Sequence, residues 1–196
     1  EKVIGRELFQ AVASWAKVKA PGPDGWVPAE LKDWPEPMFD LLAEFYALVE
    51  RLGRWPSSLS ESLVAMLPKG GTRDPSDRRP IVLLSVVYRL WAALRATVFR
   101  GWLVEAGVLS PAGPGRAADQ QAYEAALEFE LARSRGEPIV GLALDWSKCY
   151  DRLPLSLLEI VASKVGLPMA LVGPMLSAYR QPRRVVVDGM VGQLRE

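Results

Sequence analysis

The sequence predicts an α+β fold. Long segments such as residues 86–105 carry apolar residues at helical spacing, whereas short apolar runs such as residues 63–67 have the length of a β-strand. The pair Asp188-Gly189 stands between β-branched residues and is typical of a two-residue hairpin turn. The chain has 196 residues, of which 49% are hydrophobic, so it can form a core in one or two domains.

Helices are predicted along most of the chain. The first, residues 3–19, ends at the turn Lys19-Ala-Pro-Gly-Pro-Asp-Gly25, where we expect Asp24 to bond its own local backbone. The second begins at Pro37, whose missing N–H costs little at a helix start, and ends before Gly53. Further helices are predicted at residues 86–105, 117–135, 155–164 and 169–179.

The helix predicted at residues 86–105 has an apolar face and a basic face. Its inward residues are expected to be Val87, Leu90, Trp91, Leu94 and Val98. Its outward residues are expected to be Arg89, Arg95 and Arg100, since arginine is solvated by default. Residues 66–116 contain eight basic and three acidic residues, whereas residues 27–62 contain three basic and seven acidic ones. The middle third is therefore the predicted anion-binding surface.

The composition excludes several kinds of chemistry. Histidine is absent, which excludes Ser-His-Asp catalysis, Cys-His catalysis and His-ligated zinc. The single cysteine, Cys149, excludes an internal disulfide and a thiolate metal cluster. No apolar run reaches the roughly 18 residues of a membrane span, and the amino terminus lacks a signal-peptide pattern. We therefore expect an intracellular protein, in the cytoplasm or nucleus, with no membrane partner.

Asp145 is the first candidate for an active-site residue. It follows the apolar run 139–144, which begins after Pro138 and has the length of a strand buried on both faces. Open α/β sheets bind ligands outside the carboxyl ends of their strands, where a carboxylate has a reason to be present despite its desolvation cost. The alternative is that Asp145 caps a helix or a turn, because Asp is a favoured N-cap residue.

Four stretches form a pattern that covers nearly the whole chain. They are Lys19-Ala-Pro-Gly-Pro-Asp-Gly25, Leu67-Pro-Lys-Gly-Gly with Arg79-Pro-Ile-Val-Leu-Leu-Ser85, Gly115-Arg-Ala-Ala-Asp-Gln120, and Leu144-Asp-Trp-Ser-Lys-Cys-Tyr-Asp151. In this order they resemble motifs of the reverse transcriptase domain of non-LTR retrotransposons: the opening motif, the fingers motifs, the segment before the first catalytic motif, and catalytic motif A. The likeness to group II intron maturases is weaker. No stretch is specific by itself, so the common order carries the resemblance.

The resemblance implies a right-hand polymerase fold. Residues 1–60 would be an N-terminal helical extension of the fingers, residues 61–138 the fingers, and residues 139–196 the first part of an antiparallel palm sheet. The implied activity is RNA-directed DNA synthesis, with an RNA template, a DNA or RNA primer and dNTP as partners. Its cofactor would be Mg²⁺ or Mn²⁺, because the reaction is a two-metal phosphoryl transfer.

The resemblance also implies a role for each matching residue. Asp145 would be the catalytic carboxylate that ligates both metal ions, and the backbone carbonyl of Trp146 would assist one of them. Tyr150 would block the 2′-hydroxyl of a ribonucleotide, the alternative being a half-buried core aromatic. Lys69 and Arg79 would grip the incoming triphosphate, the alternative being solvated loop cations. Template phosphates would contact Arg89, Arg95, Arg100 and Arg116.

The likeness is incomplete. The sequence contains no Asp-Asp pair, so the second catalytic motif of the family is missing, and no Gln-Gly loop follows residues 185–191. The predicted palm is therefore truncated, the metal site is incompletely liganded, and a C-terminal palm and thumb are expected in a full-length protein. One alternative is a catalytically inactive retroelement remnant that binds nucleic acid or is purely structural. Another is a phosphoacceptor aspartate, against which the fingers-like loop and the lack of neighbouring acids argue.

Overall fold

A computed structural model of the chain describes residues 2–15, 20–68, 70, 78–105, 118–142 and 152–195. These residues form six α-helices and four β-strands, which confirms the predicted α+β class. The helices are α1 (Gly5–Ser14), α2 (Glu36–Leu52), α3 (Val86–Glu105), α4 (Ala118–Arg135), α5 (Leu155–Lys164) and α6 (Met169–Tyr179). The strands are β1 (Ser62–Pro68), β2 (Arg78–Leu83), β3 (Arg183–Val187) and β4 (Met190–Arg195).

The chain divides into two compact units. The first consists of Glu1–Ala96 and Pro154–Glu196, and it contains the sheet and most of the buried apolar residues. The second, Thr97–Leu153, contains the end of α3 and all of α4. The domain boundaries predicted at residues 60 and 138 were placed from the sequence motifs and not from the compactness of these two units. They stay a prediction.

The four described strands form one mixed sheet in the order β2-β1-β3-β4. β1 is antiparallel to β2, and β3 is antiparallel to β4, as expected for strands joined by short connections. Within the predicted palm range 139–196, β3 and β4 are antiparallel, whereas β3 is parallel to β1, so the sheet as a whole is mixed. The reason is that β3 reaches its place beside β1 through a long connection, which frees it from hairpin geometry.

The hairpin predicted at Asp188-Gly189 is confirmed. Val187 pairs with Met190, which leaves two residues in the loop. Both have a positive φ, 49° at Asp188 and 83° at Gly189, as a type I′ turn requires. Asp and Gly tolerate this left-handed region better than other residues, so the sequence signal and the backbone agree.

The main hydrophobic core of the first unit lies between α1, α2 and the start of α3. One face of α2 lies in this core, since Phe39, Leu42, Tyr46 and Val49 are all buried. Trp55 packs against these helices and donates from its indole nitrogen to the Pro174 carbonyl at 3.0 Å. This bond satisfies the polar edge of an aromatic ring inside the core and links α6 to it.

The apolar run before Asp145 does not form the predicted strand in the part that is described. Residues 139–142 have no regular secondary structure, and Val140 and Leu142 are 94% and 83% exposed. A short apolar run has strand length, but it becomes a strand only where a neighbour accepts its hydrogen bonds, and no described strand pairs with this one. The prediction is therefore wrong for residues 139–142, whereas residues 143–151 lie outside the described residues.

Candidate functional site

Five of the predicted site residues lie outside the described residues. They are Lys69, Arg116, Asp145, Trp146 and Tyr150. Their proposed roles in metal binding, sugar selection and phosphate contact therefore stay predictions. The structure does place Arg79, Arg89, Arg95 and Arg100, and it separates them into different environments.

Arg79 lies near the end of the β1–β2 ladder at which residues 69–77 connect the two strands. It pairs with Leu67, and the neighbouring Arg78 pairs with Pro68, the residue that precedes Lys69 in the sequence. The side chain of Arg79 is exposed, and no carboxylate among the described residues forms an ion pair with it. The ladder therefore joins the two predicted fingers stretches and presents a free guanidinium at their shared end.

Arg78, which sequence reasoning did not single out, holds the hairpin turn. Its two terminal nitrogens donate to the two carboxylate oxygens of Asp188 at 3.1 and 3.0 Å, and Nη1 also donates to the Met66 carbonyl at 3.2 Å. Hydrogen bonding and the charge of Arg78 lower the pKa of Asp188 below its ordinary value. No sequence signal could reveal this pair, since it depends on the placement of β3 beside β1.

The Arg78–Asp188 pair predicts a pH-dependent contribution to stability. A depressed carboxylate pKa stabilises the fold above the unfolded-state pKa of about 3.9, and this contribution is lost as the pH falls through the lower folded-state pKa. Asp188→Asn keeps a residue that tolerates positive φ but removes the charge, so we expect it to be less stable than the wild type at neutral pH. Urea unfolding as a function of pH should show that difference shrinking below pH of about 3.9, and a difference that is constant with pH would contradict the pairing.

Arg95 corrects the prediction of an outward basic face on α3. Its side chain is only 8% exposed, and it forms a bidentate ion pair with Glu50 of α2, with Nε–Oε1 at 2.6 Å and Nη2–Oε2 at 2.7 Å. The indole nitrogen of Trp91 donates to the same Oε1 at 2.8 Å. Residues 91 and 95 are one helical turn apart, so both face α2. The ion pair with Glu50 is the reason that the Arg95 side chain points toward α2 and not toward solvent. Because Glu50 occupies its guanidinium, Arg95 is not retained among the proposed phosphate contacts.

Arg89 and Arg100 differ from each other as well. Arg89 is half-buried, and its Nη2 donates to the Ala20 carbonyl at 2.9 Å. Burial lowers the pKa of Arg89, an effect opposed by the nearby carboxylate of Asp24. Arg100 is exposed on the part of α3 that belongs to the second unit. The predicted outward orientation therefore holds fully for Arg100 and only partly for Arg89.

Asp24 makes a different contact from the one predicted. Its Oδ2 accepts a hydrogen bond from the backbone N–H of Val86, the first residue of α3, at 2.7 Å. The local turn is closed by the backbone instead, through the Gly25 N–H and the Gly22 carbonyl at 3.1 Å. Asp is a favoured acceptor at a helix start, and in this fold the helix belongs to a distant segment.

The described residues contain neither a metal-binding group nor a membrane-spanning helix. No three His, Cys, Asp or Glu side chains of these ranges lie close enough together to hold a metal ion. No helix within them is both long and apolar enough to cross a bilayer. Asp145 and Trp146 are not among these residues, so the predicted Mg²⁺ or Mn²⁺ site stays a prediction.

No protein-family model matches the chain. The likeness to reverse transcriptases therefore rests on the four stretches of sequence and on the chemistry of their residues.

Proposed function

We propose that the chain is the fingers and the first part of the palm of an RNA-directed DNA polymerase with a right-hand fold. It would contribute to the addition of deoxynucleotides to a primer by two-metal phosphoryl transfer. The observation that carries the proposal is the common order of the four motif-like stretches. The β1–β2 ladder supports it, because the stretches that begin at Leu67 and Arg79 are paired in space as well as ordered in sequence.

The contrast between Arg78 and Arg79 supports a phosphate-binding role for Arg79. The charge of Arg78 is balanced by Asp188, whereas exposed Arg79 has no carboxylate partner among the described residues. A guanidinium offers two parallel N–H donors, which match two oxygens of a phosphate in fork geometry. Arg79 would therefore bind the triphosphate of a dNTP, with Lys69 adding a second charge from the residue that follows β1.

Asp145, Trp146 and Tyr150 would carry the chemistry. The chemistry that two Mg²⁺ ions would supply is stabilisation of the negative charge on the attacking and leaving oxygens. The carboxylate of Asp145 and the backbone carbonyl of Trp146 are hard oxygen ligands of the kind that Mg²⁺ prefers. The ring of Tyr150 would exclude the 2′-hydroxyl of a ribonucleotide and so favour dNTP as the substrate.

The RNA template and its primer would bind through exposed cations. Arg100 is fully available for a phosphate, and Arg116 is proposed from the sequence alone. Arg89 has one guanidinium nitrogen engaged with the Ala20 carbonyl, so it would contribute less. Contacts of this kind are independent of sequence and weaken as salt rises.

The second candidate function is a catalytically inactive retroelement remnant that binds nucleic acid or serves as a structural module. These 196 residues contain no Asp-Asp pair, and Asp145 alone would ligate two Mg²⁺ ions poorly. The reading frame beyond Glu196 discriminates between the two candidates. An aromatic-x-Asp-Asp motif there would favour the polymerase, and an immediate stop codon would favour the remnant.

The proposal predicts that Arg79→Gln weakens binding of a dNTP with Mg²⁺. Gln removes the charge and the fork but keeps a polar side chain of moderate length. A hydrogen bond to a charged group contributes about 1.5–3 kcal/mol, so we expect the Kd to rise about tenfold or more. Isothermal titration calorimetry of the purified chain with dATP would measure the change.

Arg51→Gln is the matched control for this experiment. Arg51 is an exposed arginine in the last turn of α2, so its replacement changes the net charge equally at a position with no proposed role. We expect its Kd to equal that of the wild type. Equal weakening in both variants would indicate a general charge effect, and an unchanged Kd for Arg79→Gln would contradict the proposed site.

A further inference from the structure

The start of α3 is capped from two separate segments of the chain. A helix leaves its first four N–H groups without partners inside the helix. The hydroxyl of Ser85 accepts from the Tyr88 N–H at 3.0 Å, and Asp24 accepts from the Val86 N–H at 2.7 Å. Ser85 is the adjacent residue in sequence, whereas Asp24 comes from a turn 62 residues away. The helix start is therefore fixed to the segment that contains Asp24 as well as to its own neighbour.

The Gly22–Gly25 turn lies directly against the segment between β2 and α3. Gly22 is buried, and a Cβ at this position would approach the Leu84 carbonyl oxygen to 2.3 Å and the Ser85 Cα to 2.9 Å. Only glycine permits this approach of one backbone to another. The turn therefore contacts this short connection at two adjacent places, through Gly22 at Leu84 and through Asp24 at Val86.

Arg89, which lies one helical turn after the start of α3, contacts the segment just before the Gly22–Gly25 turn. Its Nη2 donates to the Ala20 carbonyl, just before Gly22. Oδ1 of Asp24 and Nε of Arg89 are both buried and have no hydrogen-bond partner among the described atoms. This segment therefore contacts α3 through a carboxylate and a guanidinium that are both half-buried, and partial burial makes such contacts stronger than on an open surface.

We infer that Asp24 is a positioning residue that fixes the connection between β2 and α3 and, through it, the place of Arg79. β2 ends at Leu83 and is an edge strand of the described sheet, paired on one side to β1. Residues 84–86 follow directly after the carboxyl end of β2, so the contacts that fix these residues also fix that end of the strand. Arg79 lies four residues before it. The effect on nucleotide binding rests on the proposed function, whereas the effect on the connection rests on the contacts alone.

The test compares Asp24→Ala, Asp24→Asn and the control Asp33→Ala in the full chain. Asp33 is an exposed aspartate in the short 3₁₀ helix Glu30–Asp33, so Asp33→Ala makes the same change of charge away from α3. The measurements are amide hydrogen exchange at Val86, the NMR shifts of Arg79, and the affinity for dATP with Mg²⁺. Asn keeps an oxygen that can accept the Val86 N–H, so it tests for rescue by a conservative change.

We expect Asp24→Ala to speed exchange at Val86 about five- to thirtyfold, which is the effect of losing a helix cap. It should also shift the resonances of Arg79 and weaken dATP binding several-fold. Asp24→Asn should recover most of all three properties, and Asp33→Ala should leave them unchanged.

Two results would overturn the inference. One is an unchanged Val86 exchange rate in Asp24→Ala. The other is faster exchange with unaltered Arg79 resonances, which would make Asp24 a local cap only. If the wild type does not bind dATP while Arg79 still shifts in Asp24→Ala alone, the proposed function fails and the positioning role stands.

Discussion

Arg95→Met is expected to lower the free energy of unfolding by about 3 kcal/mol or more, because it leaves the carboxylate of Glu50 buried without its partner. Glu50 is only 15% exposed at its side chain, so solvent cannot replace the two hydrogen bonds from Arg95. The bond from Trp91 remains, which places the expected loss toward the lower end of the range for buried ion pairs. Chemical unfolding monitored by tryptophan fluorescence would measure the loss.

The double variant Glu50→Gln with Arg95→Met separates charge burial from loss of packing. Gln keeps an oxygen for the indole N–H of Trp91 but carries no charge, so the main penalty of the single variant is removed. We expect the double variant to recover at least about half of the lost stability. If the double variant is no more stable than Arg95→Met, then Arg95 does not stabilise the fold through its ion pair with Glu50.

Asp145→Asn is expected to reduce the rate of nucleotide addition by at least about a thousandfold. A catalytic metal ion supplies several kcal/mol of transition-state stabilisation, and each loss of about 1.4 kcal/mol lowers the rate tenfold. The neutral amide of Asn binds Mg²⁺ far less well than a carboxylate, which is the protein ligand that this ion prefers. Single-nucleotide extension in the protein that carries the complete palm would measure the rate.

Asp33→Asn is the matched control for that variant, since it makes the same chemical change at an exposed position in the first unit. Its rate of extension should equal that of the wild type. If Asp145→Asn extends a primer as fast as Asp33→Asn, then Asp145 is not a metal ligand and the capping interpretation becomes the better one.

The sequence predicted the elements whose signals are local. The helix at residues 86–105 has the predicted bounds, and so do those at residues 155–164 and 169–179. α2 ends where Gly53 supplies a left-handed residue with φ of 66°. Helical spacing, caps and two-residue turns are decided by neighbours in the chain, so they can be predicted without knowledge of the fold.

The contacts of the candidate site could not be predicted, because their partners are far apart in the chain. Arg95 bonds a residue 45 positions away, Asp24 one at 62 and Arg78 one at 110. An arginine on a helix is solvated by default, and only the packing of α2 against α3 shows that a buried acid faces Arg95. The strand predicted at residues 139–142 failed for the same reason. The apolar character of these residues is visible in the sequence, but the presence of a neighbouring strand to pair with them is not.

We propose that the chain belongs to a polymerase that copies RNA into DNA. The most direct measurement is primer extension on an RNA template of defined sequence, using the longest product of the reading frame that encodes these 196 residues. We expect dNTPs complementary to the template to be added in the presence of Mg²⁺, and Asp145→Asn to abolish the addition. An absence of extension with the wild type, or extension that Asp145→Asn leaves intact, would contradict it.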